Sequence, residues 1–181
     1  GTNDYVVINS PVNFNQAADF SISTWIKTST NSRPILSNRN LTGMYYGISV
    51  NKLSIFFNGA SPTTITGNKT ITNGVWNYVS IVRSGSTTYL YVNGALDISA
   101  TQTNVSANSQ ALRVGYDIAN GSYFKGSIDE VKIYPFALTP EQVKQDYNQG
   151  QAVVMGSTST GVGGTAPSNA ASAEYCVPGD S

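Results

Sequence analysis

Short runs of β-branched and aromatic residues follow one another along this chain, each closed by a turn signal, and that spacing spells an all-β sandwich. The runs are Tyr5–Ile8, Phe20–Lys27, Pro34–Ser37, Tyr45–Val50, Leu53–Phe57, Trp76–Arg83, Thr87–Val92, Leu96–Ser99, Leu112–Gly115 and Ser127–Tyr134. The sharpest local signal lies between Tyr89 and Ile98, where Asn93-Gly94 supplies the two positive-φ positions of a tight hairpin turn. Asn58-Gly59, Asn73-Gly74 and Asn120-Gly121 mark further turns. Successive side chains of a strand point to opposite faces, so Leu90 and Val92 should face inward beside Val79 and Ile81. Trp76, Tyr78, Tyr89 and Tyr91 then share the opposite, outer face.

The end of the last strand runs into a helix whose start is written in residue types. Thr139 can cap it, Pro140 suits the first helical position, and Gln142 can reach back to the cap amide. Gly150 is expected to stop it, which places one short helix at Pro140–Asn148.

Several stretches resemble, in order, the repeats of laminin-G-like jelly rolls of the concanavalin A-like lectin/glucanase superfamily, in its bacterial branch. They are Asp19-Phe20-Ser21-Ile22-Ser23-Thr24-Trp25-Ile26-Lys27, Gly74-Val75-Trp76-Asn77-Tyr78-Val79-Ser80-Ile81-Val82-Arg83, the Tyr89-Leu90-Tyr91-Val92-Asn93-Gly94 hairpin, and Gly126-Ser127-Ile128-Asp129-Glu130 leading to the helix. The resemblance implies a two-sheet antiparallel jelly-roll sandwich over residues 1–150, with Ile22, Ile26, Val79, Ile81, Leu90, Val92, Val114 and Val131 buried between the sheets. It also implies that Gly1-Thr2-Asn3-Asp4-Tyr5-Val6 matches the family's second or third strand, so that an opening strand is missing and an edge lies uncovered.

Composition narrows the chemistry. Formal net charge is +0, only 11% of the 181 residues are charged, and no basic patch points to nucleic acid. Asn, Ser, Thr, Gly and Tyr carry the surface, a composition common in extracellular or cell-surface β-rich modules. No apolar run approaches membrane-spanning length, and no leader is visible, so an exported protein would be seen here after processing or as a fragment. Histidine is absent, which excludes imidazole bases and histidine triads. The glutamates are Glu130, Glu141 and Glu174, and Asp129 beside Glu130 points to the other face, so no strand offers the paired carboxylates of a glycosidase. The chain is expected not to be an enzyme.

Among candidate sites, relatives often use the aspartate matching Asp129, by side chain and backbone oxygen, for a structural calcium completed from the opening segment. The resemblance places Asn3 and Asp4 there, while the alternative for Asp129 is to cap local amides or pair with Lys125 or Lys132. Asp117 and Asn120 form a second oxygen-rich spot, read as an Asx-turn. Trp76, Tyr78, Tyr89 and Tyr91 offer either a sugar-stacking platform or plain cross-strand packing, the latter being the simpler account.

Residues 151–181 are rich in Gly, Ser, Thr and Ala and read as a linker or extended tail. Its apolar patches, Ala152-Val153-Val154-Met155 and Tyr175-Cys176-Val177, could add a strand to an open edge of the same or a neighbouring copy, and Cys176 has no internal disulfide partner. Two roles follow: a non-catalytic extracellular adhesion module for a glycan or surface protein, or a structural subunit of a filament or oligomer built by strand or tail exchange.

Overall fold

A computed structural model describes residues 3–9, 14, 18–31, 33–40, 42–103 and 110–155, the last six of these by backbone alone. The chain forms β1 (Val6–Ile8), β2 (Phe20–Lys27), β3 (Pro34–Ser37), β4 (Met44–Ser49), β5 (Lys52–Phe57), β6 (Thr64–Thr70), β7 (Trp76–Ser84) and β8 (Thr87–Val92). It continues through β9 (Ala95–Thr101), β10 (Leu112–Val114), β11 (Tyr116–Asp117), β12 (Ser122–Tyr123) and β13 (Ser127–Tyr134) to the helix α1 (Pro140–Met155). A six-stranded sheet of order β1-β10-β3-β4-β5-β6 packs on a five-stranded sheet of order β13-β2-β7-β8-β9, and β11 and β12 make a small separate hairpin. All named pairings are antiparallel, as a jelly-roll sandwich requires.

The period-two pattern decides which side chains meet between the sheets. Val79 pairs with Val92 and Ile81 with Leu90 across β7 and β8, and all of them are buried with Ile22 and Ile26 against Leu36, Tyr46, Ile48 and Ile55 of the facing sheet. Val114 and Val131 belong to the same core but are only partly buried, because they stand where the sandwich is open. That opening is a cleft of about 560 Å³ between β1 and β10 on one side and β13 on the other. Among the described residues β13 pairs with β2 alone, so its outer edge faces the cleft.

The opposite side of the sandwich is stitched shut. The Asp97 carboxylate, on β9, accepts the backbone amides of Asn68 (2.7 Å) and Lys69 (3.2 Å) of β6, and Asn68 Nδ2 donates to the Asp97 carbonyl (3.0 Å). One carboxylate thus joins the edge strands of the two sheets.

A second cluster lies on the outer face of the five-stranded sheet, where Leu138, Val143 and Tyr147 pack against Trp25, Tyr78, Val82 and Tyr91. The capping box starts the helix as expected: Gln142 N donates to Thr139 Oγ1 (3.2 Å) and Thr139 N to Gln142 Oε1 (2.8 Å). Its end differs from expectation, since the helical backbone runs through Gly150 to Met155. A glycine inside a helix costs only about 1 kcal/mol, so by itself it does not terminate one. Ala152, Val153, Val154 and Met155 therefore have helical rather than extended backbone, which removes them as a strand donor. Tyr175, Cys176 and Val177 lie outside the described residues.

Candidate functional site

Helix α1 occupies the outer face of the five-stranded sheet, and this overturns the aromatic platform expected there. Tyr78 and Tyr91 are buried beneath the helix, and the Tyr78 hydroxyl donates to Asp146 Oδ2 (2.8 Å). Tyr78 meets Trp25 edge to face at 5.7 Å, and Tyr147 stacks on Trp25 at the same separation. Tyr89 is half-buried against this cluster and Trp76 is 43% exposed, so the four rings offer no shared surface to a sugar. Alternation located the face correctly; the helix that covers it is a tertiary event.

The six-stranded sheet presents the other outer face. Its register sets Val7, Arg113, Ser37, Tyr45, Phe56 and Thr64 side by side across the strands. Their chain neighbours Leu36, Tyr46, Ile55 and Ile65 point into the core. Arg39, just after β3, lays its guanidinium over the Tyr45 and Phe56 rings at 5.2 and 5.1 Å, within the range of cation–π attraction. The same group grips Asp117, Nη2 to Oδ2 at 2.6 Å and Nε to Oδ1 at 3.4 Å, while Ser37 Oγ donates to Oδ1 at 2.7 Å. Asp117 is fully buried and the Arg39 side chain is 18% exposed. Asp117 is thus the buried anchor of Arg39 rather than an Asx-turn residue. The Tyr45 phenol is pushed above its ordinary value first by burial and then by the Asp117 charge, against the pull of Arg39 and Arg33.

Beside this anchored guanidinium lies a cluster of tyrosines that the sequence reading did not assemble. The β11–β12 hairpin sets Tyr116 opposite Tyr123 with ring centroids 4.5 Å apart, and Tyr5 joins them at 5.0 and 6.2 Å. Tyr5 is 47% exposed and lies just before β1, two residues from Val7, where it also lines the cleft between β1 and β13. Desolvation first, then the neighbouring Tyr116 and Tyr5, raise the Tyr123 phenol above its ordinary value. The available signal was the Asn120-Gly121 turn, with Tyr116 four residues before it and Tyr123 two residues after, which a four-residue connection 118–121 sets opposite each other.

The residues expected to hold calcium come partly together. Asp4 and Asp129 line the same cleft between β1 and β13, while Asn3 is exposed nearby in sequence. Asp129 Oδ1, however, accepts the Glu130 amide (2.8 Å), and its carbonyl accepts the Thr24 hydroxyl (2.7 Å). That cap sits at a bulge, with Glu130 at φ 47. Calcium takes about six to eight oxygens, and among the described residues no three acidic or thiol side chains gather at one point. The oxygens of Asp129 that are accounted for serve the local cap.

The fold has counterparts among known proteins. A family model for concanavalin A-like lectins and glucanases matches residues 1–144. The chain belongs to that superfamily. Among solved structures this superfamily member is similar to the binding domain of Paraclostridial Mosquitocidal Protein 1, with a TM-score of 0.67 and 17% identity over 83% of this chain and 42% of that one. It is also similar to the CBM40 of the Ruminococcus gnavus IT-sialidase bound to α2,3 sialyllactose, with a TM-score of 0.61 and 14% identity over 80% of this chain and 97% of the other. A third is domain 4 of AbnA, a GH43 extracellular arabinanase from Geobacillus stearothermophilus in complex with arabinotriose, with a TM-score of 0.56 and 21% identity over 79% and 81%. At such identities the likeness establishes the fold. The chain spans about two-fifths of the length of the mosquitocidal and botulinum toxin binding domains that it matches.

Proposed function

We propose that this domain is a non-catalytic carbohydrate-binding module that works outside the cell, and that sugar rings settle on the outer face of the six-stranded sheet against Tyr5, Tyr116 and Tyr123. The observation that carries this reading is the tyrosine cluster away from the helix, with Tyr5 exposed and Tyr116 and Tyr123 half-buried, together with Arg113 and the anchored Arg39. Flat aromatic faces match the apolar faces of pyranose rings, and guanidinium groups donate to sugar oxygens in a fixed fork. Two similar structures, the sialidase module bound to α2,3 sialyllactose and the arabinanase domain in complex with arabinotriose, support the reading by analogy. The surface composition, poor in charge and rich in Asn, Ser, Thr and Tyr, supports display outside the cell.

The test is affinity electrophoresis and calorimetry against a broad set of polysaccharides and oligosaccharides. The parent should bind at least one. A stacking contact is worth about 0.5–1.5 kcal/mol beyond its area, so Tyr5→Ala and Tyr123→Ala should each weaken binding about three- to tenfold with the fold intact. A parent that binds nothing in the set, or variants that bind as well as the parent, would refute the proposal.

A further inference from the structure

We infer that the sugar taken by this face carries a carboxylate, an inference that rests on the glycan reading above. It starts from how charge is distributed on a chain whose formal total is +0. On the outer face of the six-stranded sheet Asp117 is wholly occupied by Arg39 and Ser37. Arg113 stands directly across from Ser37, and its Nη1 donates to the Ala111 carbonyl (2.9 Å). Lys52 lies on the same face two strands beyond β3, alternating with the inward Leu53 and Ile55. Neither Arg113 nor Lys52 pairs with a carboxylate among the described residues. The acids Asp129, Glu130, Glu141 and Asp146 belong instead to β13 and α1, on the five-stranded side.

The five-stranded side also carries Lys27, Lys132 and Lys144, so what sets Arg113 and Lys52 apart is local: on their own face the carboxylate of Asp117 is already taken by Arg39. A guanidinium fork meets a carboxylate with two parallel hydrogen bonds, and such charge-assisted bonds are about twice as strong as neutral ones. Arg113 is half-exposed and only its Nη1 is shown donating within the protein, to the Ala111 carbonyl, so the rest of its fork can meet a carboxylate set there. Tyr5 comes two residues before Val7, the cross-strand partner of Arg113, so a sugar bearing the carboxylate would extend from Arg113 toward the tyrosine cluster. Stacking and charge are therefore supplied side by side, which suits uronic or sialic acid residues and gives neutral sugars no charge-assisted bond.

The probes are matched pairs in which only the charge differs: polygalacturonate against its methyl-esterified form, and α2,3 sialyllactose against lactose. Binding is measured by calorimetry at low and high salt, for the parent, Arg113→Gln and Arg113→Lys, with melting curves to confirm that each variant is folded. The acidic member of at least one pair should bind about tenfold tighter than its neutral partner, and added salt should erase that preference. Arg113→Gln should weaken the acidic partner's binding more than the neutral partner's, so that the preference is lost, and Arg113→Lys should restore part of it. Equal binding of acidic and neutral partners, or equal losses on both in Arg113→Gln, would overturn the inference and leave the glycan reading standing. A parent that binds neutral sugars alone has the same consequence. A parent that binds neither member of any pair, nor any other glycan, overturns the glycan reading and this inference with it.

Discussion

Asp146 holds the helix to its sheet, and removing its carboxylate should show how much the helix contributes to the domain. The side chain is 7% exposed and accepts hydrogen bonds from Ser23 Oγ (2.6 Å), Tyr78 Oη (2.8 Å) and Lys132 Nζ (2.5 Å). In Asp146→Ala the Ser23 and Tyr78 hydroxyls lose their acceptor in a dry site, at about 1–3 kcal/mol for an unsatisfied buried group. Lys132 is one-third exposed and can turn to water or to Glu130 at 3.5 Å, so its loss is small. The expected destabilisation is about 2–4 kcal/mol by urea unfolding. Trp25, stacked on Tyr147 of the helix, reports the loosening by fluorescence. Burial alone would raise the Asp146 carboxyl, but hydrogen bonds from Lys132, Ser23 and Tyr78 and the Lys132 charge outweigh it and hold the group below its usual 3.8. Its stabilisation is therefore complete above the ordinary carboxylate range and is lost as pH falls through the depressed folded value. Lys132 titrates the other way: desolvation lowers its ammonium, yet Asp146 raises it further, so that contribution is complete below the ordinary lysine value and is lost as pH rises beyond it. The parent should thus lose stability in acid faster than Asp146→Ala. A difference below about 0.5 kcal/mol at neutral pH, the usual scatter of surface substitutions, together with parallel acid profiles, would refute the account of the helix.

Other perturbations test separate parts of the fold. Leu90→Ala removes a fully buried core side chain and should cost about 2–5 kcal/mol in the same unfolding assay. Gly94→Ala puts a Cβ at φ 73 and within 2.8 Å of the Tyr147 ring, so it should cost more than about 1 kcal/mol and shift the aromatic circular dichroism of the helix contact. Asp129→Ala removes the cap on the Glu130 amide and should lower the melting temperature by the same few degrees in calcium and in chelator. A loss confined to calcium would place an ion at Asp129 after all.

What the sequence made legible were features settled by neighbouring residues. The alternation of Leu90 and Val92 against Tyr89 and Tyr91, the Asn93-Gly94 turn and the Thr139–Gln142 capping box each stand where their residue types place them. Strand β6 was overlooked because Ile65 is its sole large apolar residue in a run of threonines, glycine, asparagine and lysine, and such a strand is specified by its partner β5 rather than by its own pattern. The platform at Trp76, Tyr78, Tyr89 and Tyr91 failed for a related reason: periodicity divides inside from outside for one sheet, but it cannot say that Leu138, Val143 and Tyr147 return to cover the outside. Likewise Asp117 and Arg39 are far apart in sequence, and only the β11–β12 hairpin folding back over β3 makes them one ion pair. The candidate site was therefore the least readable part, since every residue of it comes from a different strand or turn.

The Asp97 stitch gives the sandwich a spine. With the β6 and β9 edges tied by a carboxylate and the β1 and β13 edges parted by a cleft, thermal breathing is lopsided, like a book bound along one side. The pages at β1 and β13 lift first, so solvent deuterium reaches the amides of those two strands before it reaches the bound margin. The tyrosine patch is rooted partly in the segment leading into β1, so Tyr5 moves with the loose page while Tyr116 and Tyr123 stay with their hairpin.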